Sequence, residues 1–195
     1  MRKIVVAGAP GAGKTTLVRH LSAILSAPHA ELDALFHGPN WTKRPDFEDD
    51  LDAFTRQSSW VTEWQYADIT PLLLDRADTF IWLDLPLPLV LCRATHRTLR
   101  RWVVREELWA GNREQPVWKI FTDRSNIIRW SFASRHHVRD ALPAIKRDHP
   151  DLHVIRLRHQ RDVRCFLAAL RRNVAPPSPQ HKQCTFPSHS EDHRG

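Results

Sequence analysis

Gly8-Ala9-Pro10-Gly11-Ala12-Gly13-Lys14-Thr15 is the stretch that decides the fold of this chain. It satisfies G-x-x-x-x-G-K-[ST], the phosphate-binding loop, in which glycines allow successive backbone N–H groups to point inward at phosphate oxygens. The apolar run at 4–7 precedes the loop and predicts a buried parallel strand. At 16–25, apolar residues recur at helical spacing and predict a helix whose unpaired first amides join the site. The stretch therefore predicts a binding site for a nucleoside triphosphate.

The motif also assigns roles within the loop. Lys14 is expected between the β- and γ-phosphates, and the Thr15 hydroxyl is expected to ligate Mg²⁺. ATP and Mg²⁺ are therefore the expected ligands. The residues expected to bind the nucleotide are Gly8, Ala9, Pro10, Gly11, Ala12, Gly13, Lys14, Thr15 and Thr16.

Length and composition suit one domain with a tail. The chain has 195 residues, and we expect a domain at 1–173 and a disordered, proline-rich segment at 174–195. No apolar run approaches the length needed to span a bilayer, and the sequence starts in a strand rather than in a signal peptide. The three cysteines lack disulfide or metal-ligand spacing, which favours a cytoplasmic protein. The net charge of +7 fits a polyphosphate substrate and fits a nucleic-acid partner as well.

Strands and helices alternate along the chain, which predicts a parallel sheet covered by helices on both faces. Three later apolar runs are predicted strands that end at a carboxylate: 29–33 at Asp33, 59–62 at Glu63 and 79–84 at Asp84. A last strand is predicted at 152–157, and helices are predicted at 46–56, 69–76, 88–104, 117–137, 139–147 and 161–172. Asp46 is a candidate helix cap, and Pro143 is expected to mark a break or a new helix start.

Ligands of such sheets bind beyond the carboxyl ends of the strands, so the three strand-end carboxylates should lie beside the glycine loop. Glu63 is the candidate for orienting Mg²⁺ through water. Asp33 is the candidate for holding an acceptor hydroxyl, which it could also deprotonate. Both could instead cap the next element. Asp84 is followed closely by Pro86 and fits a structural turn at least as well as a catalytic role.

The predicted helix at 88–104 is rich in arginine. Five arginines share one of its faces at spacings of four, seven, eight and twelve: Arg93, Arg97, Arg100, Arg101 and Arg105. Such a face could close over the triphosphate as part of a lid at about 97–116, with Arg113 as a further cation. A solvated face or a nucleic-acid contact is the alternative. Phe36 and Trp41 could line the acceptor pocket, or they could simply pack against neighbouring residues.

The glycine loop, LDALF at 32–36 with Trp41 following, WVTEWQY at 60–66 and ADTFIWLDLP at 77–86 together resemble one family. It is the adenylate-kinase-like P-loop ATPases that are sometimes labelled DNA topology modulation proteins, and the resemblance covers 1–170. It implies a three-layer P-loop NTPase fold with a five-stranded parallel sheet in the order 2-3-1-4-5. It also implies that Arg93 and Arg97 match the adenylate kinase arginines that contact the adenine and the phosphates. Both are therefore expected to be catalytic residues.

Two departures from the family concern the acceptor side. The chain reads EWQY at 63–66 where the family usually has DGNY, so the bulky Trp64 replaces a glycine. Adenylate kinases carry an arginine just after this point to grip the phosphate of the acceptor, and this chain has none there, which argues against a nucleoside monophosphate acceptor. The leading hypothesis is thus a kinase that moves the ATP γ-phosphate to a small, unidentified acceptor. The alternative is a nucleotide-binding regulator or slow ATPase whose arginine-rich face contacts nucleic acid or protein.

Overall fold

The computed structural model describes residues 1–38, 42–104 and 124–174, and at 67, 98–99, 101–104 and 124–135 it describes the backbone alone. Its strands are β1 (Lys3–Gly8), β2 (His29–Ala30), β3 (Trp60–Glu63), β4 (Thr79–Leu83) and β5 (His153–Leu157). All neighbouring strands pair in parallel, in the order β2-β3-β1-β4-β5. The parallel sheet and the strand order that the resemblance implied are confirmed.

Seven α-helices accompany the sheet in the described part of the chain. They are α1 (Lys14–Leu25), α2 (Leu32–Phe36), α3 (Phe47–Thr55), α4 (Thr70–Arg76), α5 (Leu87–Val104), α6 (Arg124–Asp148) and α7 (Gln160–Val174). A 3₁₀ turn at Ala67–Ile69 leads into α4. None of the described helices is both long enough and apolar enough to cross a membrane.

The central strand β1 buries both of its faces, and its residues alternate between two cores. Ile4 and Val6 join one core with residues of α1 and α7, such as Leu21 and Leu167. Val5 and Ala7 join the other core with residues of α3, α4 and α6. A strand buried on both sides needs an unbroken apolar run, as the sequence has at 4–7. The result is the three-layer arrangement of helices, sheet and helices.

The predicted second strand and the predicted helix cap differ from the structure. The strand predicted at 29–33 ends at Ala30, and Asp33 lies in the first turn of α2 instead of at a strand end. Leu32, Leu35 and Phe36 have helical spacing and pack into the core that contains α3, which favours the helical turn. Asp46 precedes α3 as expected, but its side chain makes no capping hydrogen bond.

Pro143 does not break the helix, contrary to prediction. It lies inside α6, which is continuous to Asp148. Proline removes one backbone N–H from the helical ladder. Val138 and Ile145, on either side of Pro143, are both buried against the sheet, and this packing keeps the two segments in one helix. Positions 117–123 of the predicted helix lie outside the described residues.

Candidate active site

The loop between β1 and α1 has the backbone that its glycines predict. Gly11 and Gly13 have φ of 86° and 94°, a left-handed conformation that costs other residues energy. A Cβ on Gly11 would also lie 2.5 Å from the carbonyl oxygen of Val90, so α5 packs directly against the loop. The N-cap position of α1 is Gly13, which has no side chain to cap the helix, and this leaves the first amides of α1 available to an anion.

Lys14 extends from the first turn of α1 back over the loop. Its ammonium donates a 2.9 Å hydrogen bond to the carbonyl oxygen of Gly8. Burial lowers the pKa of Lys14 below its usual value; the charge of Glu63 opposes this, Arg97 adds to it, and Asp33 opposes it. Glu63, Arg97 and Asp33 therefore all lie within electrostatic range of the same ammonium group. Phosphate oxygens bound beside Lys14 would favour its charged form, which burial disfavours.

Thr15 and Glu63 meet beside Lys14. The Thr15 hydroxyl donates a 2.6 Å hydrogen bond to Oε1 of Glu63, the last residue of β3. Glu63 reaches this point because β3 pairs with β1 in a register that sets Glu63 against Val6. A hydroxyl and a carboxylate supply the hard oxygen donors that Mg²⁺ prefers, so this pair fits the predicted ion.

Asp33 is held by two residues that follow Glu63. Its Oδ1 accepts a 2.6 Å hydrogen bond from the Tyr66 hydroxyl and a 3.1 Å bond from Nε2 of Gln65. Tyr66 has a φ of 59°, unusual for a tyrosine, and its ring stacks on Phe36 with the centroids 4.3 Å apart. Burial, the bond to Asp33 and the charge of Asp33 raise the pKa of Tyr66, so its hydroxyl remains a donor. Asp33 is therefore fixed in orientation although it is not at a strand end.

One cavity of about 770 Å³ joins these groups. Its lining includes the predicted residues Pro10, Gly11, Ala12, Gly13, Lys14, Thr15, Thr16, Asp33, Glu63, Arg93 and Arg97. Gly8 and Ala9 do not line it: the Gly8 carbonyl receives Lys14, and Ala9 is buried. Arg100 is exposed and is not part of the lining.

The arginine-rich helix contributes two of its five predicted cations to the cavity. Arg93 lines it and donates a 3.1 Å hydrogen bond to Oε1 of Gln160, at the start of α7. Arg97 lines it within electrostatic reach of Lys14. The Arg101 side chain, Arg105, Arg113 and Trp41 lie outside the described residues, as does the lid predicted beyond Val104. Phe36 packs against Phe47 and Tyr66, and it is not part of the cavity lining.

Asp84 follows β4 directly, but its carboxylate is not part of the cavity. Its side chain is only 3% exposed, and Oδ2 accepts hydrogen bonds from Nε (2.9 Å) and Nη2 of Arg156. The guanidinium of Arg156 also lies over the Trp82 ring, 4.4 Å from its centroid. These contacts favour the structural alternative that the sequence left open.

Several lining residues were not among the predicted site residues. They are Arg19, His20, Glu31, Gln65, Gln160 and Arg164. Glu31 pairs with Arg19 at 2.6 Å, at the β2 side of the cavity. Gln65 lies two positions after Glu63, so its nearness to a predicted site residue was a usable signal. Nothing in the sequence marked Gln160 and Arg164, because they join the site only through the packing of α7.

Comparison with known proteins bears on the fold. No protein-family model matches the chain, and no curated protein matches it. A solved shikimate kinase from Acinetobacter baumannii, in complex with shikimate, is 19% identical with a TM-score of 0.51, covering 89% of this chain and 93% of that chain. A gluconokinase from Sinorhizobium meliloti 1021 is 16% identical with a TM-score of 0.48, covering 89% of this chain and 95% of that chain. A sugar kinase from Janibacter sp. HTCC2649 is 18% identical with a TM-score of 0.44, covering 89% and 91%.

The first of these structures, with the strand order, establishes the three-layer α/β P-loop fold for this chain. The narrower likeness to DNA topology modulation proteins stays a resemblance of sequence motifs. At these identities the reaction has to be argued from the site itself.

Proposed function

We propose that this protein is an ATP-dependent phosphotransferase that moves the γ-phosphoryl group of ATP to a hydroxyl group of a small acceptor. The observation that carries the proposal is the convergence on Lys14. Four features border one cavity: the half-buried Lys14 ammonium, the uncapped start of α1, the pair Thr15 and Glu63, and the fixed carboxylate of Asp33. Phosphoryl transfer needs these parts, because its catalysis is mostly positioning and neutralisation of charge.

The donor half of the site is built from the glycine loop. The amides at the start of α1 and the Lys14 ammonium bind the β- and γ-phosphates. Thr15 would hold Mg²⁺ through its hydroxyl, and Glu63 would hold it through water. A bound Mg²⁺ would neutralise part of the negative charge of the phosphates. Its fit is supported by the oxygen donors that Thr15 and Glu63 bring together.

The acceptor half is built around Asp33. Its carboxylate holds the acceptor hydroxyl and takes its proton as that oxygen bonds to the γ-phosphorus. The bond from the γ-phosphorus to the β,γ-bridging oxygen breaks, and ADP leaves with the electron pair. Arg93 and Arg97, which line the same cavity, neutralise the phosphates.

The proposal is tested by incubating the protein with Mg-ATP and a panel of nucleosides, nucleotides and sugars. Acceptor-dependent ADP formation by the wild type is expected, with loss of it in Lys14→Ala. Lys146→Ala is the matched control, because Lys146 is exposed on α6. If no acceptor raises the rate above basal hydrolysis, the protein is a slow ATPase or a nucleotide-binding regulator instead.

A further inference from the structure

The hydrogen bonds around Asp33 determine which chemical groups an acceptor can offer. The Tyr66 hydroxyl and one N–H of the Gln65 amide donate to Oδ1 of Asp33. Among the described residues, Oδ2 of Asp33 and Oε1 of Gln65 make no hydrogen bond to the protein. Asp33 and Gln65 both line the cavity. The acceptor half therefore offers two neighbouring oxygen atoms that accept hydrogen bonds.

The assignment of these donors is firm on chemical grounds. An ionised carboxylate can only accept hydrogen bonds, so the amide of Gln65 must turn its nitrogen toward Asp33 and leave its oxygen for another partner. The high pKa of Tyr66 keeps its proton in place at ordinary pH. The stack on Phe36 holds the tyrosine ring, and Nε2 of His37 lies 3.3 Å from its oxygen.

The charged residues on the β2 and β3 side of the cavity also favour an acceptor that donates hydrogen bonds. Glu31, Asp33 and Glu63 all line the β2 and β3 side of the cavity. Glu31 is paired with Arg19, whereas Asp33 forms no ion pair among the described side chains. The cations Arg93, Arg97 and Arg164, which line the same cavity, come from α5 and α7 rather than from the elements that carry these three carboxylates. A carboxylate or phosphate group beside Asp33 would meet like charge and two atoms unable to donate to it.

We propose that the acceptor is an uncharged polyhydroxyl compound, two of whose neighbouring hydroxyls donate to Oδ2 of Asp33 and Oε1 of Gln65. The inference rests on the proposed function and narrows it from any small acceptor to one class. The hydroxyl on Asp33 is the one that is phosphorylated, and the hydroxyl on Gln65 fixes the orientation of the molecule.

The test uses pairs of compounds that differ in one anionic group: glucose and gluconate, ribose and ribose 5-phosphate, uridine and UMP. ADP formation is followed with Mg-ATP, and the phosphorylated product is identified by mass spectrometry. We expect the uncharged member to be favoured by about 10-fold or more in kcat/KM. A preference for the charged members would overturn the inference and leave the proposed function standing.

Binding is measured separately, by saturation-transfer NMR on the protein loaded with MgADP. Binding of the uncharged compounds that is lost in Asp33→Asn supports the inference even without turnover. Binding of the charged members alone overturns it. If neither transfer nor binding occurs with any compound, the inference and the proposed function fail together.

A charge substitution tests the role of Gln65 directly. Gln65→Lys keeps a donor toward Asp33 and adds a cation beside it, so we expect the ratio of kcat/KM for gluconate over glucose to rise about 10-fold. Gln57→Lys makes the same change of charge at an exposed position after α3 and should leave the ratio unchanged. An unchanged ratio in Gln65→Lys would place the acceptor elsewhere.

Discussion

The hydroxyl of Thr15 donates a 2.6 Å hydrogen bond to Oε1 of Glu63, although the two residues are 48 positions apart. The contact follows from the pairing of β3 with β1, which brings the end of β3 beside the first turn of α1. Glu63 is buried, and the described structure offers it the Thr15 hydroxyl as a partner. A buried carboxylate beside a phosphate-binding loop is well placed to act on a cation.

Glu63→Gln should weaken the response to Mg²⁺. Glutamine has the same shape and can still accept the bond from Thr15, but it lacks the charge that attracts the ion. The expected loss is about 10- to 100-fold in metal affinity or activity, as for other outer ligands of metal sites. It is measured as the Mg²⁺ concentration that half-saturates ADP formation. Equal values in Glu63→Gln and in the exposed control Glu48→Gln would contradict the assigned role.

Lys14→Met should stabilise the ligand-free protein while abolishing binding of Mg-ATP. The lowered pKa shows that the surroundings of Lys14 disfavour its charged form, in spite of Glu63 and Asp33. Removing a half-buried charge that its surroundings disfavour is expected to raise the free energy of unfolding. Urea unfolding measures it, with Lys146→Met as an exposed control. A less stable Lys14→Met protein at neutral pH would contradict the prediction.

The same substitution has a defined pH dependence. Because the pKa of Lys14 is lowered in the folded state, the unfolded chain binds more protons there below the usual value of 10.5. The stability of the wild type relative to Lys14→Met should therefore rise as the pH approaches 10.5 from below. The gap between the two proteins is largest at the lower pH, where Lys14 is charged in both states. If the difference in free energy of unfolding between the two proteins increased with pH, the predicted direction would be wrong.

Gly11→Ala should cost much more stability than Gly13→Ala. Both glycines have left-handed backbone, for which alanine pays about 1–2 kcal/mol. A Cβ at Gly13 meets nothing within 4 Å, whereas one at Gly11 would lie 2.5 Å from the Val90 carbonyl oxygen and must displace α5. The additional cost at Gly11 is about 1–3 kcal/mol. Similar midpoints of urea unfolding for the two variants would show that α5 does not pack against the loop as described.

Asp84→Asn should destabilise the fold by about 1–2 kcal/mol, because it weakens the hydrogen bonds from Arg156 to a buried carboxylate, while the guanidinium that remains is 38% exposed and is screened by water. Nucleotide affinity of the folded variant should equal that of the wild type, since Asp84 is not among the residues that line the cavity. Thermal unfolding and nucleotide titration separate the two effects. A lower nucleotide affinity in the fully folded variant would show that Asp84 contributes to the nucleotide site.

The conformation of the glycine loop and the position of Glu63 beside it could be predicted from the sequence, because they depend on local requirements. The glycine loop needs left-handed backbone at fixed positions, and an apolar run at 4–7 has to be a buried strand. Glu63 could be predicted because it ends such a run. These features are readable without knowing what packs against them.

The acceptor half and the pairing of Asp84 depend on contacts between distant residues. β2 has only two residues, and the helical turn of α2 is decided by packing on α3. Arg156 reaches Asp84 because β5 pairs with β4 in a register that sets Arg156 against Trp82. No local pattern contains that register, so the partner of Asp84 could not be predicted.

Tyr66 is the single tyrosine of the chain, so its ionisation can be observed directly. Its raised pKa predicts that tyrosinate absorbance near 295 nm appears in the folded protein well above the usual value of 10.0, and near that value in urea. At a pH between 10.0 and the raised pKa of Tyr66, the folded state keeps a proton that the unfolded chain has lost. Stability should therefore fall as the pH rises above 10.0. In Asp33→Asn the onset should move down, because the negative charge that opposes ionisation is gone. An onset that is the same in wild type and Asp33→Asn would show that burial alone raises the pKa, and that the Tyr66 hydroxyl does not position Asp33.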